Sequence, residues 1–226
     1  MKKVLMALAV SGVTFFGATQ AEATTYEFID NYIGGALPDS IGGDLYNLEK
    51  TIVTVNNSEV IVNIYSLSAG GYFTEGYQHY GLGDLFLNMN PNEDASWDYV
   101  VDLSAPSAPT APTPGPVTLY AVESGNIIEG TIRTTQAALY NPEGQSAVGT
   151  PGSWVGGIDG LYRYLSISID LSSIWDGTEP LSFHWTMACG NDVVQDVLTP
   201  VPEPATMLLF GTGLVGLTGF ARRRVR

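Results

Sequence analysis

From Leu161 to Leu171 the side chains alternate with a period of two. Leu161, Arg163, Leu165, Ile167, Ile169 and Leu171 share one face, and Tyr162, Tyr164, Ser166, Ser168 and Asp170 the other. An α-helix would spread these residues around its axis, whereas an extended strand lays one set against a core and the other toward water. Leu181–Met187 repeats the pattern, with Leu181, Phe183, Trp185 and Met187 inward and Ser182, His184 and Thr186 outward to solvent. Thr51–Val55 and Glu59–Leu67 are rich in β-branched residues and flank Asn56-Asn57-Ser58, so they read as a hairpin. Fainter strand patterns cover Tyr26–Ile33, Leu82–Asn88, Trp97–Leu103, Val117–Val122, Asn126–Ile132 and Val193–Leu198. Helical periodicity is hard to find between Thr24 and Pro200, and Gly, Asn, Asp and Ser punctuate the strands at short intervals. The expectation is all-β: a single jelly-roll-like antiparallel β-sandwich over residues 24–200, with a closed barrel as the alternative. Ala105–Pro116 holds five prolines and reads as a long surface loop of that domain, a linker between two small domains being the other reading.

The two ends have a different composition. Lys2 and Lys3 precede an apolar run from Val4 to Ala18 and then Ala21-Glu22-Ala23, the small-x-small pattern in which Ala21 and Ala23 mark a signal-peptide cleavage site. Residues 1–23 are therefore read as a signal peptide that the export translocon handles, and the mature chain as starting at Thr24. At the other end, Pro202-Glu203-Pro204 disfavours helix. Residues 205–221 carry no charge and are just long enough for a helix across a hydrocarbon core. Arg222, Arg223 and Arg224, with Arg226, form a cationic stop that stays cytoplasmic.

In order and spacing, residues 201–226 resemble the PEP-CTERM sorting signal of exported bacterial proteins. The resemblance implies an exosortase-type processing enzyme as partner, cleavage near Pro202–Pro204, and release at the cell surface or outside the cell, often where exopolysaccharide is made. It implies contact with the membrane only through the C-terminal helix before processing. Phe183–Asp192, Gly83–Phe86 with Trp97-Asp98-Tyr99, and Thr118–Val122 also resemble blocks of a group of PEP-CTERM proteins, for which no activity carries over.

With both ends set aside, about 180 residues remain, enough for one sizeable core. Of the 23 acidic residues 21 lie in this part, against only Lys50, Arg133 and Arg163. So acidic a body lacks the cation clusters that nucleic-acid binding needs, and it repels anionic polysaccharide unless divalent cations bridge the two. Cys189 is the only cysteine, so no intramolecular disulfide forms.

Candidate chemistry is sparse. Asn88, Asn90, Asn92, Glu93 and Asp94 have the oxygen-rich spacing of a calcium loop. They lack the glycine at the sixth position and a carboxylate at the twelfth, which is Tyr99, and a polar Asx turn explains the same residues. Gly76–Gly81 carries Tyr77, His79 and Tyr80, side chains suited to sugar stacking. Phe183–Asp192 gathers His184, Cys189 and Asp192, but His184 and Cys189 fall on opposite faces of a continuous strand. They read as a surface histidine, a core Trp185 and Cys189, and a turn at Gly190-Asn191-Asp192. Gly83-Asp84 reads as turn punctuation. No Gly-x-Ser-x-Gly elbow or singled-out carboxylate pair appears. The expected function is an exported, exosortase-sorted matrix or surface protein, structural or polysaccharide-associated and not an enzyme. The alternatives are a calcium-assisted carbohydrate-binding module and a secreted glycan hydrolase. Apart from calcium, no cofactor is expected.

Overall fold

The computed structural model describes residues 23–30, 47–66, 82–91, 96–103, 115–200 and 213. Twelve strands are present among them. They are β1 (Thr24–Ile29), β2 (Leu48–Asn56), β3 (Glu59–Ser66), β4 (Leu85–Asn88), β5 (Tyr99–Asp102), β6 (Gly115–Ala121), β7 (Ile127–Glu129), β8 (Ala137–Tyr140), β9 (Gly149–Asp159), β10 (Tyr162–Asp170), β11 (Leu181–Thr186) and β12 (Val193–Leu198). The all-β expectation holds, and every paired strand is antiparallel to its neighbour.

Ten strands form one sheet in the order β1-β2-β3-β10-β9-β6-β5-β4-β11-β12, and β7 and β8 form a separate hairpin. Hydrogen bonding thus runs unbroken where a jelly roll would have two separate sheets. The reason is β9, a strand that the sequence pattern hides. It pairs with β10 on one side and, through a register shift between Val117 and Leu119, with β6 on the other. Gly152 and Gly157 remove the apolar alternation from β9, yet close approach requires both. A Cβ on Gly152 would lie 1.8 Å from the Ser168 carbonyl oxygen, and one on Gly157 would lie 2.5 Å from the Tyr164 ring.

The sheet curls until its ends meet. Phe28 on β1 packs edge-to-face on Phe183 of β11, with ring centroids 5.5 Å apart. Tyr26 donates its hydroxyl to the Thr199 carbonyl, 3.3 Å away. Asp192, buried at the start of β12, accepts the Leu48 backbone N–H of β2 at 2.7 Å and the Val193 N–H at 2.8 Å. Inside the curl lies the main core, drawn from both halves: Val53, Val62 and Ile64, then Leu165 and Ile167, then Leu85, Leu87, Val101, Leu119, Phe183 and Trp185. The buried indoles of Trp154 and Trp185 donate to the carbonyls of Leu103 (2.7 Å) and Gly83 (2.9 Å), so neither polar edge is left unsatisfied.

On β10 the inward set is buried from Leu165 to Leu171, but Leu161 sits in the β9–β10 turn and is 83% exposed, contrary to the expected inward position. The turn itself is enabled by Gly160, at φ 60°. The strands flanking residues 104–114, β5 and β6, pair directly with each other, and Gly115 and Pro116 of the proline-rich stretch belong to β6.

Candidate functional site

The sheet's outer surface differs from one half to the other. Over β4, β5, β6 and β11 it is covered by the β7–β8 hairpin, and Phe86, Val100, Ala137 and Tyr140 form a second, smaller core beneath it, with Trp97 and Tyr120 at its margin. Over β2, β3, β10 and β9 no element among the described residues covers it.

The hairpin explains two departures from the sequence reading. His184 was expected on the surface, yet it is 1% exposed because the hairpin lies over it. Its Nε2 is 2.8 Å from the Ala137 carbonyl oxygen and so carries the proton, and its Nδ1 is 3.2 Å from Oε1 of Gln195. Its ring packs against Trp97 at 5.1 Å between centroids, and burial pushes its pKa down. Ser182 and Thr186, also expected to face water, are buried as well, and their hydroxyls donate to the carbonyls of Asp196 and Asp192. Cys189 packs in the main core on the other side of the sheet, where burial pushes its thiol pKa up, so His184 and Cys189 form no nucleophile pair. Gly190, at φ 72°, makes the expected turn, but Asn191 and Asp192 beyond it are buried rather than solvated.

Asp84 is the second departure. Instead of punctuating a surface turn it is buried, and each carboxylate oxygen accepts a backbone N–H. Oδ1 takes that of Leu103 at 3.1 Å, and Oδ2 that of Tyr140, on β8, at 2.8 Å. One carboxylate thereby ties the hairpin to β4 and β5. Burial, reinforced by the negative charge of Asp102, pushes its pKa up to about 7 against the opposing pull of the two N–H groups. Beside it, a Cβ on Gly83 would lie 1.9 Å from the Thr186 carbonyl oxygen. Asp196 is pushed up to about 6 by burial alone. It projects toward the core opposite Phe183 on β12, between Val194 and Leu198.

Of the calcium-loop residues, Asn88 is buried at the end of β4 and its Oδ1 accepts the Asn90 backbone N–H at 2.7 Å, the Asx turn that the sequence also suggests. Asn92, Glu93 and Asp94 lie outside the described residues. Among the described residues no group of three or more His, Cys, Asp or Glu is placed to hold a metal ion.

The open half carries a tyrosine cluster. Tyr162 and Tyr164 project from the outer face of β10, and the register sets Tyr65 of β3 directly beside Tyr164. The Tyr65 ring centroid is 6.0 Å from that of Tyr162, edge-to-face, and 5.9 Å from that of Tyr164, tilted. The ammonium of Lys50 sits 5.5 Å from the Tyr65 centroid and 5.9 Å from that of Tyr162, and Glu27 binds it at 2.9 Å. That hydrogen bond raises the Lys50 pKa, while burial raises that of Tyr65, which stays a neutral phenol with a proton to donate. Tyr65 and Tyr164 border a shallow depression of about 460 Å³ with Asn63, Asp159, Ser166, Val155 and Ile158. The tyrosines Tyr77 and Tyr80, picked out in the sequence for stacking, lie outside the described residues. The signal that was present, two tyrosines two apart on the outward face of the clearest strand, acquires meaning only when β3 brings a third beside them.

The all-β body, a ten-stranded sheet with the β7–β8 hairpin against it, is followed closely by the C-terminal segment. Residues 200–224 match the family model of the PEP-CTERM protein-sorting motif, so this chain carries that motif, which implies exosortase-dependent sorting to the cell surface. Pro202, Glu203, Pro204 and Arg222–Arg224 fall within the match. These residues lie outside the described ones, as does 205–221 apart from Gly213. Among the described residues no helix is long and apolar enough to cross a membrane. Of the residues expected at a signal-peptide cleavage site, Ala23 is described and exposed, immediately before β1, and Ala21 is not described. No curated protein and no solved structure matches the chain.

Proposed function

We propose that this protein is a non-catalytic component of the cell surface or extracellular matrix that associates with polysaccharide. The observation that carries this reading is the PEP-CTERM motif at residues 200–224, which begins two residues after β12 ends at Leu198. A structural role is supported by where the reactive side chains are spent. Asp84, His184 and Asp192 each hold parts of the fold together, and Cys189 is packed in the core.

The test is the intact mass of the protein recovered from its host, compared among medium, outer surface and membrane fractions. The expected mass runs from Thr24 to the neighbourhood of Pro202, with any adduct, in the surface or medium fraction. A mass that still includes Arg226, confined to the membrane fraction, would mean a permanent anchor and overturn the proposal.

A further inference from the structure

We propose that the outer face of β3, β10 and β9 is a binding site for a neutral polysaccharide chain, with the rings of Tyr65, Tyr162 and Tyr164 as its stacking platform. This rests on the surface-and-matrix reading above and gives it a site and a ligand class. A pyranose presents C–H groups on the faces of its ring and hydroxyls around its edge. The first pack on aromatic rings, and the second require donors and acceptors arranged beside those rings. The face supplies both. Asn63, Ser166 and Asp159 border the same depression as Tyr65 and Tyr164.

The site is also elongated. Along β10 the outward row continues from Tyr164 to Ser166 and Ser168, with Ser153 of β9 paired to Ser168, so a polar track of about 13 Å leads away from the rings. That shape suits a polymer better than a single sugar.

Charge selects the class of polymer. Lys50 is the cation at this face, and Glu27 and the tyrosine rings already engage it. Asp159 borders the depression, and Asp170 and Glu59 stand at the far end of the track. A polyuronate or a nucleic acid would bring like charge to a face that, among the described residues, has no spare cation to meet it. A neutral glycan meets no such penalty.

Gly157 is the positioning residue of the platform. It lies directly beneath Tyr164, where a Cβ would come within 2.5 Å of the ring, so glycine is what lets that ring lie down on the sheet.

The experiment is affinity electrophoresis of the full chain, kept in mild detergent, in native gels containing dextran, glucomannan or hydroxyethyl cellulose, with polygalacturonate as the anionic counterpart. The expected result is retardation by at least one neutral polymer and none by polygalacturonate. Tyr164→Ala and Gly157→Ala should each weaken retardation about tenfold or more, as loss of a central aromatic contact does. Gly157→Ala keeps every side chain that would touch sugar and moves only the ring. Tyr164→Leu, which still covers Gly157 with an apolar side chain, replaces Tyr164→Ala if thermal melting shows that variant unfolded. No retardation by any of the three neutral polymers would overturn the proposal. So would retardation that these variants leave unchanged, or retardation by polygalacturonate at equal or lower concentration. Surface delivery without retardation would sink this site alone, whereas retardation by a chain that keeps its tail in the host membrane would sink the surface reading alone.

Discussion

The two halves of the sheet's outer surface are built from the same strand geometry and put to opposite uses. Over β4, β5 and β11 the outward side chains Phe86, Val100 and His184 are sealed beneath the β7–β8 hairpin, and a buried carboxylate, Asp84, ties that hairpin down. Over β3 and β10 the outward side chains Tyr65, Tyr162 and Tyr164 are half-buried, and among the described residues they pack on one another, Lys50 and Gly157. An aromatic ring on the first half therefore contributes to folding, whereas one on the second is available to a ligand.

The sharpest way to break this contrast is to remove one ring from each half. Phe86→Ala should cost about 3–5 kcal/mol of unfolding free energy, because the ring is fully buried and leaves a cavity. Tyr164→Ala should cost about 1 kcal/mol or less. Equal losses in urea denaturation would show that the open face is structural after all.

A second contrast is titratable. The Asp84 pKa is about 7 in the fold against an ordinary 3.8, so the fold favours its protonated form. That contribution is complete below pH 4 and is lost as pH rises from about 4 to 7, amounting to something on the order of 4 kcal/mol. Asp84→Asn cannot titrate, so its stability relative to wild type should improve by that order between pH 4 and pH 7 in denaturation series. His184 acts with the opposite sign, since its depressed pKa makes the fold lose stability as pH drops below 6.5. No pH-dependent gap between wild type and Asp84→Asn would mean that the carboxylate is solvated and the hairpin less tightly seated than described.

The smallest contrast compares two glycines. Gly83→Ala drives a methyl into the backbone carbonyl of Thr186 and should cost about 1–3 kcal/mol. Gly157→Ala meets only the Tyr164 ring, which can swing outward, so a loss under about 1 kcal/mol is expected. Thermal melting of the two variants side by side orders them.

Much of the fold was legible because one-face burial writes itself into sequence as alternation. That holds for β10, β11 and the β2–β3 hairpin, and β12 has the bounds expected, Val193–Leu198. What was not legible depends on neighbours distant in sequence. β9 looks like a glycine-rich loop, since the residues that let it approach Ser168 and Tyr164 are those without side chains. β8 is only four residues long and has no polar alternation to mark it, and its partners are the outer faces of other strands. His184 alternates like an outward residue and is one, but nothing near it in the chain reveals the hairpin above. Asp84 resembles many aspartates that follow a glycine, and its role exists only where Leu103 and Tyr140 present their N–H groups together. The tyrosines of β10 were visible as a polar-face pair, and the platform needed β3 in register.

The short interval between Leu198 and the sorting motif also sets a leash. Residues 199–204 can span at most about 20 Å of fully extended chain. While residues 205–221 remain attached to it, the folded body cannot drift further than that from the start of this segment. Its last strand is held by β11 along one side and by the Tyr26 hydroxyl at Thr199. On the proposed reading, an enzyme that reaches Pro202–Pro204 in the attached chain would have to work within about 20 Å of the folded body.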